Sequence, residues 1–127
     1  MDTQKNNNRN TYTIHDNSNL GEVKISDDVL AVISAMAAME VDGVVAMAGN
    51  ITSEIVSRLG MKKLSRGVGI DVAEGSVMVD LSIVLEMNQN ILKISKKVQD
   101  KVKTTVENMT GMEVANVNVN ISSVASN

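Results

Sequence analysis

The sequence predicts an α+β fold: a two-layer sandwich, with a mixed sheet of about five strands and two long helices on one face. Three observations predict it. Apolar and polar residues alternate on both sides of Glu74-Gly75, from Val68 to Val72 and from Val77 to Leu85. Ile91, Ile94, Val98, Val102, Val106 and Met109 are spaced 3, 4, 4, 4 and 3 apart, one helical stripe. The best strands have one polar face, so one side of the sheet is expected to meet water and the other both helices.

The elements follow in chain order. Residues 1–19 hold six asparagines and few apolar groups, and read as a disordered polar tail. A single domain is expected over residues 20–124, with a short tail at 125–127. Leu20 to Ser26 reads as a strand. Ser26 then suits a helix N-cap, with Asp27 and Asp28 at the positive end of the helix dipole. Val29, Leu30, Ile33, Met36 and Ala37 follow at helical spacing, and Glu40 departs from that stripe. Gly43 suits the stop. "GVVAMAG" reads as a short buried strand. Ile51, Ile55 and Leu59 suggest a short helix ending at Gly60, and "MKKLSRG" reads as a basic loop.

A two-residue turn at Glu74-Gly75 would pair Val72 with Val77, Ile70 with Val79 and Val68 with Leu81. Each pair is inward with inward, so turn and pattern agree on one register. A helix from Asn90 to Thr110 should end at Gly111. In the last strand Val117, Val119 and Ile121 point inward. Asn116, Asn118, Asn120 and Ser122 point outward, and the economical reading of that amide row is a solvated sheet face, with a protein-contact surface as the alternative. Nineteen valines supply a β-branched core, and Met fills gaps that aromatics would fill elsewhere.

Composition excludes several functions. The chain has 127 residues, a net charge of −3, no Cys, no Phe and no Trp, and Tyr12 is its one Tyr. Nucleic-acid binding rests on an excess of cations and on stacking aromatics; the net negative charge and the near-absence of aromatics argue against it. The most apolar segment, Val29 to Val41, is far shorter than the roughly 20 residues that cross a bilayer, so no direct membrane insertion is expected. No signal-like apolar stretch opens the chain, which favours the cytoplasm.

The catalytic inventory is thin. His15 lies in the expected tail, without a scaffold to hold it as a base. Asp71 and Asp80 are diagonal neighbours on the outer face, but no third metal ligand is evident. Gly67 and Gly69 open a strand rather than a helix, so they do not form a phosphate cradle. "GMKK" is not a G-x-x-G clamp. No catalytic, cofactor-binding or metal residue is therefore assigned, and no cofactor is expected.

Charge is distributed unevenly. The first helix region carries Asp27, Asp28, Glu40 and Asp42 and no cation. The second carries Lys93, Lys96, Lys97, Lys101 and Lys103 against Asp100 and Glu107. One reading is two solvated faces with complementary fields. The other is a protein-docking stripe of Lys93, Lys97 and Lys101, joined by Lys62, Lys63 and Arg66.

Four segments together carry a family resemblance: "EVDGVVAM", "GVGIDV" with the alternating strand after it, the long helix closed by "TG", and "VNVNI". In this order and spacing, from Gly21 to Val124, the chain resembles the alkaline shock protein family of Gram-positive bacteria. The resemblance implies a small cytoplasmic protein of general or envelope stress. Some members are held at the membrane by a membrane-spanning partner, and some are linked to control of fatty-acid precursor synthesis. It supplies no catalytic residues. Where members often have Tyr-Gly before the second long helix, this chain has "EMNQN", Glu86 to Asn90, so its partner need not be the same.

The expected function is a non-enzymatic interaction or scaffold protein in envelope or general stress homeostasis. It would bind a protein partner, such as a membrane-spanning anchor, or a second copy of itself. The alternatives are a regulatory module acting on a metabolic enzyme of fatty-acid precursor synthesis, or a small-ligand or hydrolytic site on the open sheet face.

Overall fold

The computed structural model describes residues 10–125. Its elements are β1 (Thr11–Asn17), β2 (Gly21–Ser26), α1 (Asp27–Met39), β3 (Val44–Met47), α2 (Ser53–Leu59), a 3₁₀ helix (Met61–Gly67), β4 (Val68–Ala73), β5 (Ser76–Glu86), α3 (Ile91–Thr110) and β6 (Glu113–Ala125).

β5 organises the main sheet. β4 pairs antiparallel with Ser76 to Leu81, and β3 antiparallel with Ile83 to Leu85. β6 runs parallel to β5 along its whole length. A strand has two edges, so β3 and β4 share one and β6 takes the other. The β4–β5 register is the predicted one: Val68 opposite Leu81, Ile70 opposite Val79, Val72 opposite Val77. Glu74 and Gly75 both have positive φ, 55° and 80°, as a two-residue hairpin turn with the right twist requires.

The inward residues of β5, namely Val77, Val79, Leu81, Ile83 and Leu85, are fully buried. α1 and α3 cover them. Gly43, beyond the end of α1, lies against Ile94 in the first turn of α3, and Val29 near its start shares a groove with Met109 in the last. The two helices are therefore antiparallel. Side-chain caps start all three helices, from Ser26, Thr52 and Asn90, each accepting from an N–H three residues on. α3 ends on Gly111 in the left-handed conformation. Buried Thr110 donates to the Val106 carbonyl and accepts from the Met112 N–H, which turns the chain into β6.

Two glycines account for two of the family signatures. Gly43 has a φ of +101°, and a Cβ there would lie 2.8 Å from Ile94 Cδ1. At Gly67 a Cβ would lie 3.1 Å from both Met47 Cε and the Ser82 carbonyl oxygen. "EVDGVVAM" and "GVGIDV" mark places where backbone passes tightly under a neighbour.

The structure departs from expectation in several places. Thr11–Asn17, expected within a disordered tail, forms β1 and pairs with β2 in a separate two-stranded sheet. Tyr12 and Ile14 pack against the core, and the Tyr12 hydroxyl donates to Asp27 Oδ1 at 2.6 Å. Burial and that bond push the Tyr12 phenol up to about 12. The described strands thus number six, in sheets of four and two, rather than about five in one sheet. The tail expected at residues 1–19 falls partly outside the described residues, as does most of the C-terminal tail; Ala125 still belongs to β6. The basic loop is a 3₁₀ helix that buries Leu64 and Gly67.

The stripe on α1 also differs. Its buried residues are Leu30, Ala31, Ser34, Ala35, Ala37 and Ala38. Small side chains let the helix approach the sheet closely, while Val29 and Met36 from the expected stripe are exposed. On α3 the stripe is as expected at Ile94, Val98, Val102 and Val106, but Ile91 and Met109 at its ends are exposed.

Candidate functional site

α1 is apolar on every side. Between Asp28 and Glu40 it carries no charged residue. Its small residues are buried; on the other face Val32, Ile33 and Met39 are only partly covered by the core, and Val29 and Met36 are exposed. Val29, Val32, Ile33 and Met36 line a groove with Met61 and Lys62 of the 3₁₀ helix and Met109 of α3. Past Met36 and Met61 the groove continues between Met39, Val56 and Leu64, with Glu40 at its rim. Exposure is 46% at Val29, 40% at Met36, 45% at Met61 and 63% at Met109, substantial for large apolar groups. Methionine is unbranched and polarizable, and a methionine-lined surface adapts to different apolar shapes.

Lys62 also belongs to the next depression, with Leu59, Lys63, Ser65 and Arg66. Three predicted docking cations therefore sit together at one flank of the groove. The lysines of α3 do not line the groove, although Lys101 reaches Glu40 at its rim. Lys93 is sixteen residues before Met109, about 24 Å along the helix. Lys93 and Lys97 are exposed, and Lys101 Nζ sits 3.2 Å from Glu40 Oε1 at the end of α1. That pair is the complementary field expected between the two helices, although an exposed ion pair contributes little to stability. Lys103 instead ties α3 to β6, reaching Glu107 at 2.9 Å and donating to the Val114 carbonyl at 3.0 Å. The Val114 N–H donates to Glu107, and this bond, with that from Lys103, holds the Glu107 carboxyl below the usual range.

The outer sheet face carries the amide row as expected: Asn116, Asn118 and Asn120 are exposed. Asn118 Nδ2 donates to Asp80 Oδ1 at 2.8 Å. Asp71 is exposed near Asp80, and among the described residues no group of three His, Cys, Asp or Glu could hold a metal ion. His15 is not in a tail. It lies on β1 opposite Val23, with its side chain exposed. No helix of the described residues is long and apolar enough to cross a membrane.

Sequence reasoning missed the groove itself. The available signal was the excess of apolar positions on α1: a helix that buries one face needs only about a 100° stripe, and this one is apolar all round.

Comparison with known proteins supplies the class. The chain belongs to the alkaline shock protein 23 family, described by a cell envelope-related function, whose pattern it matches over residues 15–126. This is the family that its signatures resemble. The chain is 35% identical to the uncharacterized protein YqhY of Bacillus subtilis over 107 residues, 84% of this chain and 79% of YqhY. It is 30% identical to the uncharacterized protein Spy1614 of Streptococcus pyogenes over 114 residues, 88% of this chain and 94% of that one. A stress response regulator gls24 homolog of Streptococcus pyogenes is 28% identical over 102 residues, 80% of this chain but 57% of that protein. No solved structure matches significantly.

Proposed function

We propose that the protein is a non-enzymatic scaffold in bacterial envelope or general stress homeostasis, and that it holds its protein partner in the methionine-lined groove. The observation that carries this is the outward face of α1, where Val29 and Met36 meet Met61 and Met109 in one exposed apolar channel. A groove between helices suits the apolar face of an amphipathic helix. Lys62, Lys63 and Arg66 at its flank favour acidic residues beside that face, because charge complementarity sets encounter rate and specificity. The family description and the stress-regulator relative support the setting. The protein would act in the cytoplasm, at the membrane periphery when the partner is a membrane-spanning anchor.

The test is affinity capture from an extract of the protein's own cells, comparing wild type with Met36→Glu and with the triple variant Lys62→Glu, Lys63→Glu, Arg66→Glu. One partner recovered with wild type and lost with both, at unchanged thermal midpoints, is the expected result. Equal recovery by all three contradicts it. A membrane protein so recovered would identify an anchor, and a biosynthetic enzyme would indicate the regulatory role instead.

A further inference from the structure

β6 is an edge strand, and α3 covers only half of its outer edge. At the start of β6, Glu107 accepts from the Val114 N–H, Lys103 donates to the Val114 carbonyl, and Gln99 Nε2 donates to the Val117 carbonyl at 3.0 Å. Backbone groups of successive strand residues point to alternate edges. Val117 turns its carbonyl to α3, away from β5, so Val119 and Ile121 turn their N–H and C=O groups outward as well. Among the described residues those groups have no partner. Asn120, between them, faces β5: its Nδ2 reaches the Leu81 carbonyl on that side.

Open edges are normally blunted by charge or proline. From Val114 to the end of the chain there is neither. The strand is also its own antiparallel complement. With a twofold axis at Asn120, Val119 of one copy pairs with Ile121 of the other, and the reverse. Each such pair exchanges both backbone hydrogen bonds. Val119 and Ile121, half-buried on the helix side, gain apolar neighbours, and Asn120 meets Asn120 on the wet face. Val117 keeps its bond to Gln99. A strand without charge offers a foreign partner no electrostatic code, but it suits an identical strand in an isologous contact.

We infer that two copies join their β6 strands antiparallel about Asn120, extending one sheet across a symmetric dimer. This is independent of the groove, whose lining includes no residue of β6.

The test uses the full chain, which lacks cysteine. Asn120→Cys places two thiols in a close, non-hydrogen-bonded pair on the axis, with Cα atoms about 4.5 Å apart, within disulfide range. Asn118→Cys, on the same face, places them roughly 13 Å apart. Under mild oxidation the first should form a covalent dimer and the second should not. In sedimentation equilibrium wild type should be dimeric, and Asn120→Lys, which sets like charges on the axis, monomeric. Val119→Pro removes only an outward N–H, and should also be monomeric with its circular dichroism retained. If that variant does not fold, the other two decide. A monomeric wild type, a dimer indifferent to Asn120→Lys, or equal cross-linking at both cysteines overturns the inference.

Discussion

The two long helices lie side by side on one sheet and meet water differently. α3 buries Ile94, Val98, Val102 and Val106 and turns lysines outward. α1 buries Leu30, Ser34 and four alanines and turns Val29 and Met36 outward. A helix that serves only the core needs one apolar face, as α3 shows. On the second apolar face of α1, Val32, Ile33 and Met39 still pack in part against the core, but Val29 and Met36 stay exposed. Larger apolar side chains are not always in the core. Where small residues let a helix sit close, the large ones are left for something else.

The comparison can be broken by four kinds of change. The largest effect is expected on α3: Val98→Asp buries a carboxylate among apolar neighbours and should cost more than about 4 kcal/mol, read as loss of the urea transition. Lys97→Glu, one position away and exposed, should change stability by less than about 0.5 kcal/mol. Next comes the close face of α1. Ala35 is fully buried in the core, so Ala35→Leu overpacks it and should cost roughly 1–3 kcal/mol. Its neighbour Met36→Glu should change the unfolding free energy from urea melts by less than about 0.5 kcal/mol. A reversed order at Ala35 and Met36 would mean that the helix faces are wrongly assigned.

A third change tests the hairpin that docks beside the start of α1. Deleting residues 1–18 removes β1, with the half-buried Tyr12 and Ile14, and should cost about 2 kcal/mol, visible as a thermal midpoint lower by several degrees. An unchanged midpoint would return this segment to the status of a tail.

The smallest effect appears only in alkali. Tyr12 titrates near 12 in the fold, raised from 10.0 by burial and by its bond to Asp27. A raised folded value favours the protonated form, so its contribution is complete below pH 10 and is lost as pH climbs toward 12. Tyr12→Phe cannot ionise, and urea melts from pH 9 to pH 12 should show a shallower alkaline decline than wild type. Equal slopes would mean that the phenol is not held as described.

Legibility in the sequence followed how many independent signals met at a residue. β4 and β5 were legible to the register, because the Glu74-Gly75 turn and the alternation on each side had to agree. α3 was legible along its middle, where one stripe stood out against lysines. α1 was legible as a helix but not as an oriented one: with apolar residues at nearly every position, no face distinguishes itself. β1 was missed because only Tyr12 and Ile14 alternate among polar neighbours. Its partner signal lay in the turn, where Asn17 receives the N–H of Leu20 on its carbonyl and that of Asn19 on its side chain. The cations at Lys62, Lys63 and Arg66 were legible as a cluster. The groove beside them, which depends on the rotation of α1, was not.

If the groove holds a protein partner as proposed, Met36, Met61 and Met109 are open until that partner binds. Residue-resolved methionine oxidation under mild peroxide, read by mass spectrometry with and without the captured partner, tests this most directly. In the isolated protein Met36, Met61 and Met109 should oxidise quickly and the fully buried Met47 slowly. With partner bound, the first three should become protected while Met47 is unchanged. Protection of Met36 and Met109 in the isolated protein, or none on binding, would contradict the account.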